Sequence, residues 1–219
     1  MNDDSLFQQK QIAQEYEKYY ETKYRRADLL EKKLLTKLFG QFQNVRKVLE
    51  VGCGTGHFTR WMESALGFEC YGVDTSKAML SEARQMWPKA SLLESEAIHL
   101  PFKPKSFDIV TFITSLEYMP DAASALNEAA RVAKEGIIIG LMNKKSPSTA
   151  RKMLRAKTMK DSFYRNAKFY SVSDIEKKLP EESAVVFCCT TVFPKVFGSW
   201  ESSLFPFGGF LGIAVKLRG

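Results

Sequence analysis

Val48-Leu49-Glu50-Val51-Gly52-Cys53-Gly54-Thr55-Gly56-His57-Phe58-Thr59 reads as a short buried strand that breaks into a glycine turn and restarts as a helix. Branched apolar residues at 48, 49 and 51 suit a strand covered on both faces, as in a parallel sheet. Glycines at 52, 54 and 56 let the backbone turn tightly and bring its N–H groups close to a ligand. A helix beginning near Thr55 or Gly56 aims its first N–H groups at the same spot and favours a negatively charged ligand group. A dinucleotide fingerprint, G-x-G-x-x-G, needs its third glycine at position 57. His57 stands there, and the third glycine comes one residue early. A glycine turn without any ligand is the bland alternative.

Outward from this turn, strands and helices alternate. Glu69–Asp74 is a second strand ending in an acid, with Asp74 lying 18 residues beyond Gly56. That is near the spacing at which such sheets present a carboxylate to a ribose diol; the alternative is an acid capping a helix at Ser76. Ala90–Leu93 reads as a third strand, the stretch after Ser106 as a fourth running to Ile113, and Gly136–Met142 as a fifth, with a helix at 122–133 before it. Such alternation argues for a parallel, doubly wound sheet. Ligands bind at the C-terminal edge of these sheets, which points to Thr114–Asp121. Ser183–Val192 and Gly209–Leu217 are strands with no crossover helix between them, hence an antiparallel pair at the sheet edge. Ahead of the turn, 5–39 reads as helical, with Leu30, Leu34 and Leu38 as its stripe.

Glu50-Val51-Gly52-Cys53-Gly54-Thr55-Gly56 resembles the first motif of class I S-adenosylmethionine (SAM)-dependent methyltransferases, and Gly72-Val73-Asp74-Thr75-Ser76-Lys77-Ala78-Met79-Leu80 resembles their second. Within that class the chain is similar to the small-molecule branch of ubiquinone and menaquinone biosynthesis methyltransferases. The resemblance spans roughly 10–217 and is most specific at 48–121. It implies an α/β fold with a Rossmann-like, doubly wound seven-stranded sheet, mostly parallel, with a final antiparallel strand pair and helices on both faces. It also implies a methionine-side wall made of Glu50, Gly52, Cys53, Gly54 and Gly56, a ribose held by Asp74, and an adenosine flanked by Thr75 and Met79. Glu96 and Ala97 take the places of a family Asp-Ala pair, where a carboxylate accepts from the adenine amino group. Thr114 and Leu116 fall in the loop expected to face the transferred methyl. Tyr16-Glu17-Lys18-Tyr19-Tyr20 stands where some relatives carry a lid, making Tyr16 and Tyr20 its members; the residues alone equally support tyrosines packing a helix onto the sheet.

The departures concern chemistry. Glu117-Tyr118 replaces a frequent Glu-His, so no histidine base is evident after the fourth strand. Glu117 is the one catalytic candidate, either buried structure or a proton acceptor. His57 reads as a helix N-terminal residue. No metal is expected, and the four cysteines have neither C-x-x-C spacing nor nearby histidines.

The 219 residues are 45% hydrophobic and 26% charged, in keeping with one ordinary globular domain. We divide it into an N-terminal helical lid (1–44), a SAM-binding core (45–142), a basic helical cap (143–182) and C-terminal antiparallel strands (183–219). No apolar run is long enough to span a membrane and no secretory leader is evident, which leaves the cytoplasm as the expected location. The net charge of +7 is concentrated: 143–178 carries eleven Lys and Arg against three acids. That segment is either a solvated helix face or an attractor of acidic substrate. The expected activity is therefore transfer of the SAM methyl to an O, N or C nucleophile of a small molecule, an acidic one if the basic segment attracts it, leaving S-adenosylhomocysteine. The alternatives are RNA or DNA methylation through the basic segment, and SAM binding without catalysis. Nucleic acid is disfavoured by the lack of an Asn/Asp-Pro-Pro-aromatic motif. Methyl acceptor and oligomeric state are not legible.

Overall fold

The near-continuous apolar runs at 109–113, 137–142 and 210–215 have no polar face, and in the computed structural model each lies in a strand buried on both sides. The structure describes residues 7–22, 24–158 and 164–218. Seven strands, β1 (Lys47–Val51), β2 (Glu69–Asp74), β3 (Ser91–Glu94), β4 (Phe107–Ile113), β5 (Ala133–Met142), β6 (Ser183–Thr191) and β7 (Phe210–Leu217), form one sheet in the order β3-β2-β1-β4-β5-β7-β6. The first five pair in parallel. Strand β7 inserts between β5 and β6 and runs antiparallel to both.

Alternate residues of each central strand feed two apolar layers. On one side Ile109, Ile138 and Ala214 pack with Leu34, Leu35, Leu38, Phe58 and Met62 from helices α2 (Arg25–Phe39) and α3 (His57–Leu66). On the other, Val110, Ile139 and Ile213 meet Ala125, Leu126 and Ala129 of α5 (Ala122–Val132) and Ile175 of α7 (Val172–Glu176). Each such Leu or Ile, fully buried, stabilises the fold by about 1.5–3 kcal/mol before chain entropy is set against it. Between β2 and β3 lies α4 (Lys77–Met86), capped by the Ser76 hydroxyl, which accepts from the Met79 N–H at 3.1 Å. The basic helix α6 (Pro147–Thr158) follows β5. Among the described residues no helix is long and apolar enough to cross a membrane.

The stretch 5–39, read from the sequence as helical, holds two helices. Helix α1 (Lys10–Glu21) ends where Thr22 leaves helical geometry (ψ −85°) and turns its hydroxyl back on the Lys18 carbonyl at 2.6 Å. Helix α2 then starts afresh at Arg25. The helical period of the sequence continues across the break, so the apolar stripe alone did not reveal it; residues 5 and 6 lie outside the described residues.

Strand order reverses beside β1: the chain runs outward to β2 and β3, then crosses back to β4 on the other side. The C-terminal ends of β1, β2 and β4 thus open onto one crevice, the place where a doubly wound sheet binds its ligand.

Candidate functional site

The crevice holds a cavity of about 320 Å³. Its floor is the end of β1 and the turn after it, with Val51, Gly52 and Gly54 in the lining. Two backbone N–H groups, of Gly52 and Cys53, both donate to the Val73 carbonyl at 2.8 and 3.0 Å, which ties the turn to β2. Gly52 has φ +75°, and a Cβ there would lie 2.5 Å from the Ser115 Cβ, so only glycine fits between the turn and the loop after β4. Gly54 also has positive φ (+54°), but a Cβ added to it would meet nothing within 4 Å. Its missing side chain is open space beside the cavity, a cradle for something brought close to the backbone.

Asp74 ends β2 at the cavity wall. Its Oδ2 accepts from the Gly54 N–H at 2.7 Å and its Oδ1 from the Ser76 N–H at 2.8 Å. Burial raises its pKa, more than the backbone N–H groups of Ser76, Gly54 and Thr75 lower it. Each oxygen keeps acceptor capacity for a hydroxyl on the cavity side. Thr75, Ser76 and Met79 continue the wall, Ser95, Glu96, Ala97 and Ile98 form the side beyond β3, and Thr114, Ser115 and Tyr118 to Asp121 close it above β4. The N-terminal segment supplies the cover, with Phe7, Gln8 and Tyr16. It is latched twice: the Ser76 hydroxyl donates to the Phe7 carbonyl at 2.7 Å, and Gln8 Nε2 donates to the Thr75 carbonyl at 3.1 Å. The Phe7 ring meets the Tyr118 ring edge-on at 5.2 Å.

Of the residues named from the sequence, Tyr16, Gly52, Gly54, Asp74, Thr75, Met79, Glu96, Ala97 and Thr114 line this one cavity. Glu50, Cys53, Gly56, Tyr20, Leu116 and Glu117 do not. Glu50 is buried and accepts from the hydroxyl and the backbone N–H of Thr59, which makes it a cap for the first turn of α3. The Cys53 thiol turns under the sheet toward Gly72, and burial pushes its pKa far up, so it stays a neutral thiol. Gly56, with φ +75°, is the N-cap residue of α3. Leu116 is a fully buried core residue. Tyr20 stacks on the His57 ring at a centroid distance of 3.9 Å. Glu117, the sequence's catalytic candidate, is completely buried behind the wall, its Oε1 accepting from the Met142 N–H at 2.7 Å. Phe7 and Gln8 are lining residues that no sequence signal marked; Ser115 and Tyr118 to Asp121 lay inside the loop already expected to face the ligand.

An ionic network holds the cover to the glycine turn. Glu17 of α1 accepts from the Thr55 hydroxyl at 2.6 Å and from Arg60 at 2.8 Å, and lies 3.3 Å from His57 Nδ1. On the other side of the imidazole, His57 Nε2 sits 2.7 Å from Asp28, which also pairs with Lys32 at 2.8 Å. Burial pulls the His57 pKa down, but the two carboxylates outweigh it and leave it raised, so the ring favours its charged form. Glu17→Gln removes one charge from a centre shared by Thr55, His57 and Arg60 and is expected to cost the docking of α1 about 1–3 kcal/mol. Hydrogen exchange should then speed up selectively over 10–21; unchanged protection there would remove the network from the cover's support.

Among the described residues, desolvation pushes up three carboxyl groups: the fully buried Glu50 to about 8 and Glu117 to about 7, and the half-buried Glu31 to about 7. The fold therefore prefers their protonated forms. Their stabilising contribution is complete below the ordinary value of 4.5 and drains away as pH rises toward 7–8. Glu50→Gln keeps an oxygen for Thr59 and is uncharged at every pH. It is expected to gain on the order of 2–4 kcal/mol over wild type at pH 8 and little at pH 4.5, read from urea unfolding at both. Equal gains at the two pH values would contradict the assignment. The tyrosines near the cavity do not ionise: burial lifts Tyr16 to about 12 and Tyr20 and Tyr118 well above the usual range.

Residues 49–140 match the model of a methyltransferase domain family. The chain is 36% identical over 100 residues to a chloroplastic tocopherol O-methyltransferase of Arabidopsis thaliana, covering 43% of this chain and 29% of that one. It is 40% identical over 104 residues to a demethylmenaquinone methyltransferase of Bacillus licheniformis, covering 44% and 45%. The aligned part thus spans less than half the length of these curated relatives. Over nearly its whole length the chain superposes on a crystal structure from Thermotoga maritima described as a SAM-dependent methyltransferase, "possible histamine N-methyltransferase", with a TM-score of 0.77, 25% identity and coverage of 95% and 97%.

Proposed function

Because the chain belongs to the class I SAM-dependent methyltransferases, we propose that it binds SAM in the 320 Å³ cavity and methylates a small molecule on O, N or C. The observation that carries this is the pairing of Gly54 and Asp74. An open cradle at the glycine, with nothing within 4 Å of its missing Cβ, adjoins a carboxylate preset by two backbone N–H groups. These residues fit the cofactor: Gly52 and Gly54 would take the methionine side, Asp74 the ribose hydroxyls, and Met79, Glu96, Ala97 and Ile98 the adenine. When bound, SAM supplies a sulfonium methyl already activated for in-line transfer.

What remains for the protein is orientation and proximity, with reacting atoms held roughly 3–3.5 Å apart. Thr114, Ser115 and the Tyr118–Asp121 stretch stand at the end of β4, where the acceptor must approach. The cover residues Phe7, Gln8 and Tyr16 exclude water from the transferring methyl. Calorimetric titration with S-adenosylhomocysteine tests the reading, with a dissociation constant in the micromolar range expected. No heat at high micromolar ligand sinks it. A methyl-acceptor screen with a metabolite library, read by mass spectrometry, then separates a catalyst from a protein that only binds the cofactor.

A further inference from the structure

The connection from β6 to β7 takes no part in the lining of the crevice, yet it emerges beside it. Met142 at the end of β5 and Thr191 at the end of β6 both pair opposite Phe210, so the connection leaves the sheet at the edge where the crevice also opens. Its rings gather on the buried Phe193, with Trp200 at 4.8 Å and Phe197 and Phe205 at 6.3 Å. Around that hub Val196, Phe197, Trp200, Leu204, Phe205 and Phe207 stand exposed, Val196 by 85% and Leu204 by 93%. Single exposed apolar side chains are ordinary, but a cluster of this kind marks a contact surface. Polar ties hold the backbone beneath it. The N–H and the hydroxyl of Thr190 donate to the Ser202 and Phe205 carbonyls, both at 2.8 Å. Arg26 of α2 donates to the Phe193 carbonyl at 3.1 Å and to the Gly198 carbonyl. The rings are therefore presented outward by a fixed scaffold.

The charges around this patch are mostly of one sign. Arg26, Lys33 and Lys37 recur at helical spacing on the side of α2 that meets the connection, with the exposed Leu29 among them. Glu201, the one acid of the connection, lies 3.3 Å from Lys33 and also bonds Lys37, so two ammonium groups share one carboxylate. Lys195 is exposed beside Val196. The acids of α2 serve its other faces: Asp28 pairs with His57 and Lys32, and the charges that act on Glu31 are those of Lys152, Asp28, His57 and Lys32. Helix α6 flanks the same region. Asn143 just before it donates to the Pro206 and Gly208 carbonyls at 2.7 and 2.8 Å, and Lys152 lies 6.0 Å over the Tyr24 ring at the start of α2. This helix has no acid and exposes Met153 and Leu154 along with Arg151 and Arg155.

We propose that this face docks the protein peripherally on an anionic lipid bilayer. The rings and the two tips enter the interfacial layer, where Trp and other amphipathic or aromatic side chains are favoured, while the surrounding Lys and Arg meet lipid phosphates. Two observations select a bilayer over a protein partner. Val196 and Leu204 are projecting tips and not the walls of a groove, so they suit a medium that yields around them. A second copy pairing through the same patch would set two cationic rims against each other, whereas lipid phosphates complement them. Because the connection and the crevice share one edge of the sheet, docking holds the crevice close to the bilayer surface. The docking face stands whether or not SAM is what the crevice binds.

The test is co-sedimentation of the full chain with vesicles of phosphatidylcholine alone and with vesicles containing about a third phosphatidylglycerol. Binding to the anionic vesicles should be at least tenfold stronger, and should fall by roughly fivefold or more when salt is raised to about 0.5 M. No binding, or equal binding to both vesicles, overturns the proposal. The double variant V196S/L204S changes only side chains that already face water, so it should melt with wild type and bind the anionic vesicles at least tenfold more weakly. K195E should weaken binding at least threefold. Unchanged binding in both variants overturns the assignment. Of the three tryptophans, Trp61 lies in α3 and Trp87 ends α4, which leaves Trp200 on this face. A brominated lipid should therefore quench the emission of bound wild type and spare bound W200F; equal quenching of the two overturns the placement of the rings in the bilayer. Sedimentation equilibrium covers the other occupant: a dimer that V196S/L204S dissolves gives the face to a second copy and overturns the bilayer.

Discussion

Asp74→Ala should weaken S-adenosylhomocysteine binding by about a hundredfold, near 2.7 kcal/mol. The carboxylate accepts from the Gly54 and Ser76 N–H groups at 2.7 and 2.8 Å, so its loss frees two donors at the cavity wall as well as removing the acceptor proposed for the ribose. Hydrogen bonds to a charged group contribute roughly 1.5–3 kcal/mol each, and here ligand bonds and loop geometry are lost together. Asp74→Asn keeps one oxygen and should fall between alanine and wild type. Calorimetric titration reads both variants; alanine affinity within threefold of wild type would remove the ribose assignment.

Gly52→Ala is expected to strike stability rather than affinity. An alanine there is forced to φ +75°, at a cost of about 1–2 kcal/mol, and its methyl lands 2.5 Å from the Ser115 Cβ, adding about 1–3 kcal/mol of overpacking. A loss near 3 kcal/mol lowers the melting temperature of a domain this size by roughly 6–12 °C. Ser115→Gly in the same chain removes the overlap and leaves the backbone strain, so the double variant should recover about half of the loss. A single variant melting with wild type, or a double that recovers nothing, would contradict this account. Gly54→Ala gives the contrast: at φ +54° it carries the same backbone strain of about 1–2 kcal/mol, but with nothing within 4 Å of its methyl no overpacking is added, so it should lose only about half as much as Gly52→Ala while filling the cradle proposed for the cofactor.

The strand, glycine turn and acid at 74 were legible because each follows from local chemistry: a two-sided apolar run, residues tolerating positive φ, a carboxylate at a strand end. So was the loop after β4, since the parallel strands of this sheet point their C-terminal ends at the edge where the cavity lies. Glu50, expected at the cofactor, meets Thr59 at the start of α3 and is not part of the cavity lining: motif position does not say whether a carboxylate faces the cavity or caps the next helix. The break between α1 and α2 falls inside an unbroken helical period. The cover's latch was out of reach because Phe7 and Gln8 find partners 69 and 67 residues away, and the network around His57 joins residues 25 to 40 apart. Such contacts exist only once three helices have docked.

The two latches on the N-terminal segment carry a consequence for traffic through the cycle. Ser76 and Thr75, which hold Phe7 and Gln8, belong to the same wall that would touch the adenosyl group, so the spent donor cannot leave until those bonds part. On the proposed function, turnover is then expected to be paced by departure rather than by bond making. The first methyl transferred should appear as a rapid burst equal to the enzyme present, followed by slower cycling.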